Sequence, residues 1–192
     1  MNVVIIYVEL SVISFYIELI YFKSIHFTME NSNYSKLQMT ALVGLRLLIG
    51  WHFLYEGVVK LLNPNWSSMG YLMGSQGFLK GLFQGIGTSP TMVGIADFVT
   101  IWAMIAIGVT LIFGFLLKPA AFVGMFLLAL FYLAYPPFPG IESNAPAEGS
   151  YVIVNKNLIE LFALMVVMAF PTAKSYGIER FFVKSTSVPA TT

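Results

Sequence analysis

Charged side chains stand inside apolar sequence at helical spacing. In the stretch Met39–Leu62, Arg46, Phe53 and Lys60 recur every seven residues beside Gly50 and Gly57, while His52, Glu56 and Lys60 recur every four. On a helix these form two adjoining stripes that share Lys60. Asp97 lies in a second apolar stretch, and Asn155-Lys156-Asn157 with Glu160 opens a last one. Lys60 or His52 can donate a hydrogen bond to a bound carbonyl, and Glu56, Asp97 or Glu160 can accept a proton. Each has a plain structural alternative. Glu56 followed by Lys60 is the favoured i,i+4 order and works equally as a structural ion pair with Lys60 snorkelling outward. His52 serves as a bundle hydrogen-bonder, and Arg46 serves to anchor carbonyls or a lipid phosphate.

Other chemistries find no support. His26 stands apart from His52, so no paired imidazoles mark a metal site. Zero Cys removes disulfides, thiolate metal sites, CxxCH haem attachment and dithiol redox chemistry. No glycine-rich nucleotide loop, nucleophile elbow or HExxH motif occurs, so no metal, haem or nucleotide cofactor is indicated.

The elements that position these residues follow from composition. Of 192 residues, 58% are hydrophobic and only 10% charged, against roughly 25% charged in soluble domains. Ten Lys+Arg and nine Asp+Glu cannot coat a soluble surface, so the main solvent is lipid. The net charge of +1 gives no footprint for nucleic acid.

A bilayer core of about 30 Å needs about 20 apolar residues per helix. Four stretches qualify: Met39–Leu62, Met92–Leu116, Pro119–Tyr135 and Val152–Phe170. The expected fold is an all-α, integral membrane four-helix bundle. A fifth apolar run, Val3–Phe22, carries Glu9 and Glu18 on opposite helical faces. Residues 1–28 are therefore read as a hydrophobic extension, either an accessory span or an over-extended start ahead of Met29. Lys36, Lys118, Lys174, Arg180 and Lys184 gather on one side, which predicts a multi-pass protein with a cytoplasmic C-terminus. Counting inward from the other side, Glu56 lies about 9 Å deep, His52 about 15 Å, Asp97 about 8 Å, and Asn155 to Glu160 within about 12 Å. These groups are expected to converge in the outer leaflet, with Arg46 apart.

The turn at Leu117-Lys118 is short enough to make an antiparallel hairpin, whose close fit is expected from Ala106, Thr110 and Gly114 on one helix and Ala120 and Gly124 on the next. The connection Asn63–Thr91 reads as a re-entrant or interfacial lid. Ser75 is expected to cap a short helix with Phe78, Leu79, Leu82, Phe83 and Ile86 on one face, and Trp66 and Tyr71 to sit at headgroup level. The loop Pro136–Tyr151 reads as a turn-rich cap, and the tail 185–192 as disordered.

The pattern Arg46-x3-Gly50-x2-Phe53-x3-Gly57-x2-Lys60-Leu61 resembles the first helix of the DoxX family of small four-helix membrane proteins. Gly108 to Pro119 resembles that family's second helix and short basic turn. Asn155 to Glu160 and Tyr176-Gly177-Ile178-Glu179-Arg180 are similar to its DoxD-like branch, with Glu in place of Asp in the closing motif. The resemblance covers residues 36–184. It implies a bacterial plasma-membrane location and, through the DoxD type, the small subunit of thiosulfate:quinone oxidoreductase, with quinone as cofactor and a second subunit as partner. Arg46, Lys60, Asn157 and Glu160 match family positions without an assigned role. Two functions stay open: a quinone-linked oxidoreductase subunit, and a non-catalytic membrane interaction or lipid-handling subunit.

Overall fold

The computed structural model describes residues 34–138, 152–170 and 172–181. The extension 1–28 with Val3–Phe22, most of the Pro136–Tyr151 loop, Lys184 and the tail 185–192 lie outside the described residues. The described chain is all-α. Its elements are α1 (Lys36–Leu62), α2 (Met69–Met73), α3 (Lys80–Gly87), α4 (Pro90–Phe113), α5 (Leu117–Ala134), α6 (Lys156–Ala169), α7 (Thr172–Tyr176) and a final 3₁₀ turn, Ile178–Phe181. Helices α1, α4, α5 and α6 form the bundle of a membrane protein, and α1, α4 and α5 are long and apolar enough to cross a bilayer. Large apolar residues such as Leu48, Trp51, Phe98, Phe122 and Phe126 face outward, as lipid permits.

Local chemistry sets the helix ends. Ser35 and Gln38 form a reciprocal capping box, which starts α1 three residues before the apolar run. Pro90 occupies the first turn of α4 after Ser89. Gly114, at φ 65°, ends α4 while the Phe115 amide bonds back to the Thr110 carbonyl. This Schellman closure stops α4 before Leu116, short of the expected end. The Asn155 side chain accepts from the Leu158 amide and starts α6 four residues after Val152. Its 14 residues reach about 21 Å, less than a full span.

The hairpin stripe is corrected by the packing. Ala106 is exposed, and the tightest helix contact joins α1 to α4 through Gly50, Gly57 and Gly108 instead. A Cβ at Gly50 would lie 3.0 Å from Leu111, and one at Gly57 would lie 3.1 Å from Met104 Cβ. A Cβ at Gly108 would lie 2.5 Å from the Leu54 amide nitrogen. Gly124 of α5 faces Leu164 of α6, and Gly114 faces Gly177 and Arg46. Backbone cannot yield as a flexible side chain can, so Gly108→Ala is expected to cost about 3 kcal/mol, the upper end of overpacking. Gly94 has open space around it, so Gly94→Ala should be neutral or stabilise the helix by up to about 1 kcal/mol. Thermal unfolding in detergent checks the pair.

One core centres on Phe53, Ile107, Leu111, Leu128, Leu164 and Val167. A smaller one, Leu72, Phe83, Val93 and Ala134, fastens the lid to α4 and α5. The lid differs from expectation. Ser75 is fully buried and caps nothing, Leu79 precedes α3, and Phe78 and Leu82 point outward while Phe83 packs inward. Glycines punctuate this segment, so a short amphipathic face competes poorly with the turn at Gly77, whose φ is 84°.

Candidate functional site

A cavity of about 470 Å³ lies under the lid between α1, α4, α5 and α6. Its two sides differ in chemistry. Helices α4 and α5 supply an apolar wall from Val99, Met104, Leu127, Leu128 and Phe131. Helices α1 and α6 supply the polar wall: His52, Glu56 and Lys60 from one, Lys156, Asn157 and Glu160 from the other. The four-residue spacing on α1 puts its three groups on one stripe facing the start of α6.

Two pairs organise the polar wall. His52 Nδ1 and Glu160 Oε1 lie 2.6 Å apart, and this hydrogen bond ties α1 to α6. Lys60 Nζ donates to the Glu56 carboxylate and, at 3.3 Å, to the Glu56 carbonyl. The Glu160 and Lys60 side chains are 12% and 16% exposed, against 42% for His52 and 39% for Glu56. Each pair therefore joins a shielded partner to a wet one. The Lys60 ammonium also sits 5.7 Å from the Trp66 ring centre, close enough for cation–π attraction.

Six of the sequence candidates thus meet at one cavity: His52, Glu56, Lys60, Lys156, Asn157 and Glu160. Asp97 and Arg46 do not line it. Pairing of Gly57 with Met104 and of Gly50 with Leu111 fixes the antiparallel register of α1 and α4. Asp97, seven residues before Met104, then falls level with the end of α1. There Asp97 Oδ1 accepts from the Ser68 amide at 2.7 Å and tethers the lid. This register corrects its expected place beside Glu56.

Arg46 is 1% exposed at the far end of the bundle. It donates to the Tyr176 carbonyl at 3.0 Å and to Thr172 Oγ1 at 3.4 Å. Its guanidinium also backs onto Gly114, at the C-terminus of α4, where helix carbonyls favour a cation. These contacts make Arg46 a clamp for the C-terminal segment, away from the cavity. Asn155 is spent on capping α6.

The lid contributes residues outside the sequence candidates, with Trp66 and Tyr71 expected at headgroup level. Trp66, Ser68, Tyr71 and Leu72 roof the cavity. Tyr71 Oη donates to the Phe131 carbonyl, and Tyr135 Oη donates to the Tyr71 carbonyl, so the aromatic pair fastens lid to α5. The unusual length of the lid was the available signal for a roof.

The DoxX family model matches residues 41–135. That segment is a DoxX domain. The DoxX match contains His52, Glu56 and Lys60 and the whole lid, but ends at Tyr135, before α6 brings Lys156, Asn157 and Glu160. The polar wall is therefore assembled half from the DoxX segment and half from the helix after it. No curated protein and no solved structure matches the chain significantly. Among the described residues, no group of three His, Asp or Glu is placed to hold a metal ion.

Proposed function

We propose that the chain is a small membrane subunit of a quinone-linked oxidoreductase, and that the cavity under the lid takes the quinone head group. The observation that carries this reading is the His52–Glu160 pair on the polar wall of an otherwise apolar cavity. Such a site suits an amphipathic ligand, with apolar surface for a ring and chain and few polar groups for orientation. The DoxX domain and the DoxD-like features of α6 support the same reading.

His52 and Lys60 would hold the ring oxygens as hydrogen-bond donors, and Asn157 offers an amide beside them. A bound quinone supplies two-electron, two-proton redox chemistry. Glu160, hydrogen-bonded to His52, exchanges a proton with it and keeps the ring oriented. Glu56 holds the Lys60 ammonium in place. The apolar wall and the lid shield Glu160 and Lys60 from water and so strengthen the bonds these two make. Without Cys, this chain brings no thiol to carry electrons, and a second subunit is proposed to supply them.

The alternative, a non-catalytic interaction or lipid-handling subunit, draws support from the pairing itself, since Glu56 and Glu160 already have partners. Titration of the purified chain with decylubiquinone, followed by tryptophan quenching, separates the two. Saturable binding at one per chain is expected. Partitioning no different from empty detergent micelles refutes the quinone reading.

A further inference from the structure

We infer that the cavity exchanges protons with the lid end of the protein only. The inference rests on the proposed ligand reading and names the side on which its protons appear. Titratable groups form a continuous ladder toward the lid. Glu160 bonds His52, Glu56 stands one turn above His52 on the same stripe, and Lys60 one turn above Glu56, so the ladder rises about 12 Å. Lys156 stands exposed at the start of α6 beside the same wall. Glu56 and His52 are wet enough for water to bridge the steps.

In the other direction the described residues close the path. Ile49, Phe53, Leu111, Leu164 and Val167 are each at most 5% exposed and form one apolar cluster. Gly50 and Gly108 bring α1 and α4 into backbone contact at the same level, leaving no room for a water chain. Beyond the plug, Arg46 sits six residues below His52, about 9 Å along the helix. There it bonds the Thr172 hydroxyl and the Tyr176 carbonyl, neither of which titrates at ordinary pH.

Among the described residues, the groups facing His52 all belong to the ladder side. Helix α6 presents Glu160 and Lys156, and α1 presents Glu56 and Lys60. Helices α4 and α5 present Thr100, Met104, Leu127, Leu128 and Phe131 to the cavity, none of them titratable. The lid adds Tyr71, whose hydroxyl is engaged with the Phe131 carbonyl, while Asp97 is held at lid level by Ser68.

The test uses the full chain in lipid vesicles. Because the chain has no Cys, Lys80→Cys on the lid, labelled with a membrane-impermeant maleimide, establishes which side the lid faces. Trp51→Phe and Trp102→Phe remove the two tryptophans outside the cavity and leave Trp66 as reporter. Decylubiquinone affinity is read by stopped-flow quenching after a pH jump between 5 and 8 on one side, before the gradient decays. A lid-side jump is expected to shift affinity by up to about tenfold per pH unit, the slope for one linked proton. A jump on the Arg46 side leaves affinity unchanged, and Glu160→Gln flattens the lid-side response. Response to the Arg46 side, or intact binding that responds to neither side, overturns the inference while the ligand reading stands. Absence of decylubiquinone binding at every pH overturns the ligand reading and this inference with it.

Discussion

Glu160→Gln is expected to leave the bundle folded and to weaken decylubiquinone binding about tenfold or more. Gln keeps the shape of the side chain and still accepts from His52, but it cannot take a proton. The magnitude of the stability change decides between two views of the polar wall. In a closed, dry network, removing one charge strands its partner and costs roughly 3–5 kcal/mol. The His52 side chain is 42% exposed, so solvent screens it, and the expected cost falls to about 1 kcal/mol or less. Thermal unfolding and quinone titration on the same preparation read both quantities. A folded Glu160→Gln with wild-type affinity removes the site and advances the interaction-subunit reading.

Arg46→Gln should give the opposite result, a large loss of stability with ligand affinity retained. Arg46 is 1% exposed and satisfies the Tyr176 carbonyl and Thr172 Oγ1 across the bundle. Orphaning a buried acceptor such as Thr172 Oγ1 costs about 1–3 kcal/mol, and with the part-buried Tyr176 carbonyl a total near 3 kcal/mol is expected, with proteolysis starting in the C-terminal segment. Arg46→Lys keeps the charge but loses the planar fork and should fall between the two. Below its lowered melting temperature, Arg46→Gln should bind decylubiquinone within about twofold of wild type, because the apolar plug separates Arg46 from the cavity. Loss of binding with stability intact would show that Arg46 belongs to the site after all.

The spans were legible because lipid-facing helices must be apolar along their length, whereas their ends, set by Ser35, Pro90, Gly114 and Asn155, lie two to four residues from the expected bounds. The polar wall was legible too, since a four-residue repeat fixes a stripe and depth counting brings the first turn of α6 beside it. Register was not. Asp97 counted from Met92 seemed level with Glu56, but contact of Gly108 with α1 slides α4 toward the lid and leaves Asp97 bonded to Ser68. The partners of Arg46 lie 126 and 130 residues away in sequence, and no local pattern announces them. The lid misled for a related reason. Ser75 has the right type for a cap, yet it is fully buried, its neighbour Gln76 bonds the Ala134 carbonyl of α5, and the helix starts at Lys80.

The central claim is that the cavity holds a quinone. Its most direct test is solvent extraction of the chain purified from membranes, with the extract identified by mass spectrometry and normalised to protein. The proposed site predicts a quinone approaching one per chain in the wild type and strongly depleted in Glu160→Gln purified in parallel. Phospholipid alone, or quinone at the same level in both preparations, would contradict it.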